Sequence, residues 1–383
     1  MNAESTEPAL GVYVHLPWCE SKCPYCDFNS YALDGALPAA SYVDALIDDI
    51  DVQHAAAHGR SVTSIFIGGG TPSLFPAESI ERILRSLRAA FRFSPSIEVT
   101  LEANPGSVEL DRLDGYRAAG VNRLSIGVQS FDADALAVLG RRHSAGEAAK
   151  ALGIARAAGF DNVNLDLMYA LPGQTVDAAL ADVERLLDDP PEHVSWYQLT
   201  LEPGTRFHRD PPPLPDDDQV ADIQEGGLAR LTAAGFERYE VSAFARSGRR
   251  CRHNLNYWRF GDYLAFGAGA HGKLTAPDGW PARYERPRHP RRYQAVRPPL
   301  AESLQPVAAA QLPFEFFLNT LRLVDGHRID ALPDVGDTVR RATEQQLSEA
   351  ERRGLLERPD GLRFRPSALG FRFLNDLQAL FLP

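Results

Sequence analysis

Three helix-ending signals of one kind constrain this chain more than any other feature. Ala-Ala-Gly closes an apolar-periodic segment at Gly120, Gly159 and Gly235, and a strand-like run follows at once: VNRLSIGV, FDNVNLDL and FERYEVSA. Glycine suits the left-handed position that ends a helix. The three glycines are spaced 39 and 76 residues apart, about one and two helix-plus-strand units, which predicts parallel strands joined by helical crossovers. Six short apolar runs with β-branched content, at 12–16, 64–67, 97–101, 123–128, 163–168 and 194–199, read as strands. Between them Val43, Leu46, Ile47 and Ile50 share one helical face. So do Ile80, Ile83, Leu84 and Leu87, after a first-turn Pro76.

A doubly wound sheet and a barrel both fit that alternation. Barrels place their chemistry in the loops after the strands' C-terminal ends, and the unusual residues fall there. A cysteine-rich loop follows the first strand, GGGTPS the second, Glu102-Ala-Asn-Pro the third and Gln129 the fourth, with Asp166 near the end of the fifth. The expectation is an α/β fold: a partial (β/α)6 barrel, open on one side. Composition changes after Gly272. Residues 276–299 are rich in proline and arginine, with Arg283, Arg286, Arg288, Arg291, Arg292 and Arg297 against a single Glu285, and read as an irregular linker. Beyond it, 312–323 and 339–353 read as helices, the second closing at Gly354. Residues 355–357 and 362–365 flank the turn signal Arg358-Pro-Asp-Gly, and a last helix starts at Ala368. Helices plus a two-stranded wing predict a C-terminal α+β winged-helix-like domain. The expected divisions are an N-terminal tail 1–10, the barrel and its extension 11–275, a linker 276–310 and the C-terminal domain 311–383.

With 383 residues, 44% hydrophobic and 24% charged, the chain reads as globular. A net charge of -11 counts against nucleic acid as the main partner, because phosphate binding needs a basic footprint. No signal peptide is legible in MNAESTEPALG, and no stretch approaches the ~18 apolar residues of a membrane span. Of four cysteines, three crowd into 19–26, which suits metal binding in a reducing compartment better than a disulfide framework. The expected location is cytoplasmic, compatible with peripheral membrane association.

That cysteine loop is the strongest chemical signal. Cys19, Cys23 and Cys26 in VHLPWCESKCPYCDF can grip one face of an iron–sulfur cube, one thiolate to each of three irons. Such cubes usually take four cysteines, so three leave one iron open to a further ligand. The alternative is zinc with His15 or Cys251 as fourth ligand, although zinc sites usually pair two Cys-x2-Cys knuckles and only one is present.

Cys-x3-Cys-x2-Cys after a first strand, then Gly68-Gly-Gly-Thr-Pro72 after the second, resembles the radical S-adenosylmethionine superfamily. The likeness narrows to its oxygen-independent coproporphyrinogen III oxidase-like branch, carried by GGGTPS, LEANPG, SIGVQSFD, LGRRH, NLDLMYALPGQ, YQLTLEPGTRF, YEVSAFA, HNLNYW and GDYLAFGAGAHG, in order from Tyr13 to Gly272. The resemblance implies a [4Fe–4S] cluster on the three cysteines with S-adenosylmethionine on the open iron. Bare glycine backbone can come close to the methionine amino group. By motif, Tyr13, Tyr25, Gly70, Thr71 and Pro72 are expected to line the S-adenosylmethionine pocket, and Glu102, Gln129, Arg141 and Asp166 to supply its polar contacts.

Two departures separate the chain from the oxidases of that branch. Their cysteine motif continues with a fourth cysteine where this chain has Phe28, and they carry an N-terminal extension for which Tyr13 leaves no room. Both departures match the branch's haem chaperones. The resemblance therefore implies a protein that binds haem as cargo and passes it to an acceptor protein, a membrane respiratory protein being one candidate. Coproporphyrinogen III oxidase, a radical oxidative decarboxylase, is the alternative. Cleavage of S-adenosylmethionine stays open on these residues. The HNxxYW motif of the chaperones gives His253, Asn254, Tyr257 and Trp258 as the expected haem-binding residues: imidazole is a sound axial ligand, and the aromatic rings offer flat apolar surface. Cys251 reads as a thiolate ligand, as a covalent attachment point or as a buried inert thiol. Arg246, Arg249, Arg250 and Arg252 read as propionate partners or as a solvated basic face, and His271 is a candidate neighbour of the S-adenosylmethionine pocket.

Overall fold

A computed structural model describes residues 10–106, 112–296 and 304–383. The start of the expected N-terminal tail (1–9) and Arg297 lie outside them.

The six anticipated strands are present as β1 (Leu10–Leu16), β2 (Val62–Gly69), β3 (Phe93–Ala103), β4 (Arg123–Gln129), β5 (Val163–Tyr169) and β6 (His193–Gln198). They are hydrogen-bonded side by side in chain order, and every pairing is parallel. Gly120, Gly159 and Gly235 all take positive φ, at 111°, 85° and 83°, as helix-ending glycines should. Outside β6, Ala243–Ala245 (β7) pairs antiparallel and meets the two-residue strand Glu237–Arg238 at the edge. On the other side Asp262–Phe266 (β8) lies parallel to β1 as a seventh parallel strand. Antiparallel His271–Thr275 (β9) and Pro281–Glu285 (β10) follow, and Gln305–Pro306 forms the last edge.

The segment expected to be an irregular linker therefore needs correction. Residues 281–285 form β10, and Pro290–Ala295 is a short helix that starts on proline. Two of its arginines are structural. Arg286 is buried against Asp49 at 2.6 Å, and Arg283 binds Glu315 at 2.6 Å and donates to the Tyr263 hydroxyl.

Strand alternation decides what faces where. Val12, Val14, Leu16, Ile65, Ile67, Val99, Leu101, Leu124, Ile126, Leu165, Leu167 and Val194 point outward into the main core, where they meet Val43, Leu46, Ile50, Ile80, Ile83 and Leu87 of the surrounding helices. The strand register puts the opposite set on one inner face: Tyr13 beside Phe66, Phe66 beside Thr100, Thr100 beside Arg123, Ser125 beside Asn164, and Asp166 beside Ser195. That inner face is polar, and most of it is buried.

A second core holds the C-terminal part, where Leu312, Phe316, Phe317, Leu347, Phe364, Leu377 and Phe381 pack together. Helices Leu312–Thr320 and Asp337–Arg352 and the paired strands Leu356–Glu357 and Arg363–Pro366 lie where the sequence puts them, and His327–Arg328 adds a third strand. This is the helix-plus-wing arrangement.

Candidate functional site

The cysteine loop is pinned before it reaches its thiols. Trp18–Cys19 pairs parallel with Tyr31–Ala32, so the chain leaves β1, circles through Cys23 and Cys26, and returns beside its start. The glycine strip anchors the loop from the other side: Gly70 N–H donates to Leu16 O and Thr71 N–H to Trp18 O. Each glycine has its own reason. An added Cβ would lie 2.9 Å from Glu102 Oε2 at Gly68, 2.7 Å from the His15 ring at Gly69, and 2.5 Å from Trp18 O at Gly70. With the Gly69 N–H given to Glu102 Oε2 at 3.0 Å, the N–H groups of 69–71 are all committed. Only the strip's carbonyls are left as candidates to accept from an ammonium.

Above the inner face, at the C-terminal ends of the strands, a cavity of about 600 Å³ opens. Cys19, Cys23 and Cys26 line it, together with Tyr25, Gly70, Thr71, Pro72, Glu102, Gln129, Arg141 and Asp166. All eight are residues that sequence reasoning placed in a ligand pocket. Tyr13 is not in the wall. It sits one layer lower, its hydroxyl bonded to His15 Nδ1 at 2.8 Å and its ring near Phe66. Parity along a strand gives the face a residue points to, not its depth, and so could not separate Tyr13 from Glu102.

The polar groups of the cavity are held in place by bonds to one another. Arg141 donates through Nη2 to Asn104 Oδ1 at 2.6 Å and to Gly127 O at 2.7 Å, which leaves Nη1 pointing at Cys23 Sγ, 3.9 Å away. Gln129 takes the unusual φ of 68° at a register shift in β4, and its Oε1 accepts from the Tyr197 hydroxyl at 2.7 Å. Gly127 is the permissive neighbour, because a Cβ there would meet Gln129 Nε2 at 2.8 Å. Asn104 and Tyr197 were missed from sequence, though Tyr197 shares the face of Asp166 by strand register. Burial, and then the nearby Asp166, push the Glu102 carboxyl up to about 7. Burial also raises Asp166, against the hydrogen bonds of Asn164 and Ser195 and the charges of Arg123 and Arg141. Two buried carboxyls beside three thiols make a pocket that would favour a cation.

The zinc alternative fits less well. His15 is not a cavity wall, and both its ring nitrogens are engaged, by the Tyr13 hydroxyl and by Asn29 O at 2.9 Å. Cys251 is fully buried far down the inner face, its thiol turned to Glu98 Oε1 and pushed up to about 11, by burial first. Among the described residues, no three His, Cys, Asp or Glu converge closely enough to hold a single ion.

The HNLNYW segment forms the short helix Arg252–Trp258, which packs on β2 and β1 from inside. Glu98 of β3 caps it, accepting from Arg252 N–H at 2.9 Å; a carboxylate suits a helix N-terminus. His253 is buried with both ring nitrogens bonded, Nδ1 to Ser64 Oγ at 3.1 Å and Nε2 to the Tyr257 hydroxyl at 2.8 Å. Burial holds its pKa down at about 3. Asn254 is half-buried on the same helix, while Tyr257 and Trp258 line a separate cavity of about 170 Å³ with Tyr263, Lys273 and Arg283. The structure does not bring this segment to the cysteine cavity. The arginines around it bond within the chain: Arg246 to Ala234 O, Arg249 to Asp161, Arg250 to Asp325 and Glu237, and Arg252 to Ser96.

Comparison with known proteins bears on both regions. The Radical SAM superfamily model matches residues 13–186. The Heme chaperone HemW of Escherichia coli K12 is 48% identical over 379 residues, covering 98% of both chains, and that of Haemophilus influenzae is 46% identical with the same coverage. The mouse mitochondrial radical S-adenosyl methionine domain-containing protein 1 is 41% identical over 72% of this chain and 63% of its own. Among solved structures, the coproporphyrinogen III oxidase HemN of Escherichia coli, a radical SAM enzyme, superposes with a TM-score of 0.79 at 24% identity, over 99% of this chain and 91% of that one, a likeness of fold.

Proposed function

The chain belongs to the HemW family of radical SAM proteins, and from that premise we propose that it binds haem and delivers it to an acceptor protein, using a [4Fe–4S] cluster and S-adenosylmethionine. The observation that carries the reading is the meeting of Cys19, Cys23 and Cys26 with Glu102, Asp166, Gln129 and Arg141 in one cavity at the ends of the parallel strands. Thiols spread around a cavity wall suit a cluster, in which each thiolate holds a different iron, better than one tetrahedral ion with ligands about 2.3 Å away.

When bound, the cluster supplies an electron and an iron position open to the amino and carboxylate groups of S-adenosylmethionine. The residues of this chain do the rest. Glu102 and the strip carbonyls offer acceptors for the ammonium, and Asp166 and Gln129 face the remaining polar edge. Arg141 directs a charge-assisted hydrogen bond at the Cys23 thiolate, a contact of the kind that tunes clusters. Phe28, 59% exposed at the rim where the oxidases have a further cysteine, contributes no ligand. The domain divisions 11–275 and 311–383 are part of the same proposal, supported by the two separate cores. Among the described residues no helix is long and apolar enough to cross a membrane, so a membrane-bound acceptor would be met by docking.

The test is oxygen-free reconstitution with iron and sulfide, followed by haem titration and transfer to a haem-free acceptor. About four irons and four labile sulfides per chain, a Soret band on titration and loss of that band to the acceptor are expected. Stoichiometric zinc without labile sulfide would sink the cluster. Conversion of coproporphyrinogen III to protoporphyrinogen at useful rates would favour the oxidase instead.

A further inference from the structure

The smaller cavity, of about 170 Å³, is lined by Tyr257, Trp258, Tyr263, Lys273, Arg283 and Asn319. It lies between the short helix Arg252–Trp258, the sheet edge and the C-terminal helix Leu312–Thr320, and it shares no lining residue with the cysteine cavity. We propose that this cavity is a subsite for a carboxylate group on a short apolar stem, held by Lys273, Arg283 and the Trp258 indole N–H.

The strands bring the cations together. Tyr263 of β8 stands opposite Lys273 of β9, which stands opposite Arg283 of β10, so the three side chains share one face of the sheet. Lys273 is buried, and its Nζ donates to Phe260 O at 2.9 Å and to Asp262 Oδ1 at 3.0 Å, two of the three bonds an ammonium can give. Asp262 is shared. Its other oxygen takes Arg60 Nη1 at 2.8 Å, and Arg60 is itself buried to all but 9% of its side chain. Two buried cations thus divide one carboxylate. Arg283 and Glu315, at 2.6 Å, offset each other. Three cations therefore face two carboxylates, an excess of one positive charge against a cavity. Burial lowers the Lys273 pKa; Asp262 opposes this, while Arg283 and Arg60 add to it. An anion in the cavity would relieve that repulsion.

Donors are in excess as well. Trp258 Nε1 is buried and, among the described residues, has no hydrogen-bond partner, a condition that costs about 1–3 kcal/mol. The Tyr263 hydroxyl accepts from Arg283 Nη1 at 3.1 Å, which leaves its own proton to give. A carboxylate supplies one negative charge and two acceptor oxygens, while Phe260 and the rings of Tyr257 and Trp258 wall an alkyl stem. A cation would be repelled, and a neutral amide would leave the charge in place. The group has two sources: a free small carboxylate, or a propionate arm of haem. The second rests on the haem-binding reading proposed above.

The experiment titrates sodium propanoate, with propanamide as its neutral twin, into the full reconstituted chain at constant ionic strength. Calorimetry gives the affinity. The Trp258 indole N–H resonance, identified by its loss in Trp258→Phe, gives the place. Propanoate is expected to move that resonance saturably with a Kd on the order of 1–10 mM, and propanamide to leave it unmoved. Affinity should fall about tenfold in Lys273→Met, which leaves Asp262 with Arg60, and about threefold in Trp258→Phe. A resonance that propanoate does not move, or that propanamide moves equally, would overturn the subsite. Haem and its dimethyl ester, in which the propionates are masked, separate the sources. Uptake of haem about tenfold tighter than of the ester, with the advantage lost in Lys273→Met, assigns the group to a propionate. Equal uptake of the two, with the propanoate shift intact, assigns it to a free carboxylate. No haem uptake by the wild-type chain would overturn the haem reading and leave the subsite standing on the propanoate result.

Discussion

The two ends of the barrel interior are built from the same strands and the same alternating positions, yet their polar groups are left in opposite conditions. At the lower end Glu98 is spent capping a helix, His253 has a partner at each nitrogen, and Cys251 is a buried thiol. At the upper end Arg141 and Gln129 are held by neighbours but line the cavity, and burial raises the pKa of the Glu102 and Asp166 carboxyls in its wall. The lower end spends its hydrogen-bonding capacity on itself; the upper end holds capacity in reserve for a guest. The contrast teaches that strand parity assigns a face, while the partners each polar group finds decide whether it is spent on the fold or left facing a cavity. HNLNYW builds the floor of the barrel.

The largest effect expected from this contrast separates the two kinds of cysteine. Cys19→Ala, Cys23→Ala or Cys26→Ala should each drop iron and labile sulfide to background after reconstitution. Cys251→Ala should leave both unchanged, and equal losses from all four would erase the distinction between floor and cavity.

Next in size is the floor itself. His253→Ala removes a buried ring and leaves the Ser64 and Tyr257 hydroxyls unpaired, which should cost about 2–4 kcal/mol in denaturant unfolding with little change in cluster content. The same histidine makes the fold acid-sensitive. Its folded pKa of about 3 lies below the ordinary 6.5, so below pH 6.5 the unfolded chain holds a proton that the folded one does not. Stability should fall by about 1.4 kcal/mol per pH unit from this residue as pH drops from 6.5 toward 3, and the slope should be shallower in His253→Ala.

The upper end should respond to pH with the opposite sign. Without a cation, Glu102 holds its proton up to about pH 7, so its contribution to stability is complete below its ordinary 4.5 and is lost as pH rises through 7. A bound ammonium wants the carboxylate, and S-adenosylmethionine should therefore bind more tightly at pH 8 than at pH 6. Glu102→Gln should weaken it about tenfold and flatten that dependence, measured by calorimetry on the reconstituted protein. A steep dependence surviving in Glu102→Gln would assign it to another group.

Gly127→Ala should be the mildest change. Its Cβ would press on Gln129 Nε2 and Arg141 Nη2, at 2.8 and 3.2 Å, displacing two cavity groups rather than the core. About a threefold loss of S-adenosylmethionine affinity with unfolding shifted by under about 1 kcal/mol is expected.

Much of this was legible in the chain because parallel strands in series obey local rules. The Ala-Ala-Gly endings set the repeat, and the alternation of Glu102 with Leu101, or Asp166 with Leu165, shows which face is polar. What escaped has a physical reason in each case. Pro281–Glu285 is a strand only because His271–Thr275 and Gln305–Pro306 flank it, and no period within proline- and arginine-rich residues announces that. The short helix of HNLNYW has too few turns to show an apolar face, and its place depends on Glu98, more than 150 residues earlier. Tyr13 shares the inner face with Glu102, and parity, which carries no depth, does not show that it lies below the cavity wall.

Both outer edges of the sheet end in two-residue strands, Glu237–Arg238 on one side and Gln305–Pro306 on the other. A ladder that short, closed by charged residues or by proline, gives a second molecule almost no unpaired backbone to add to. Were the proposed cluster lost, the chain would still offer a second copy little at either edge to zip onto, so the unfilled form would be guarded against edge-to-edge aggregation.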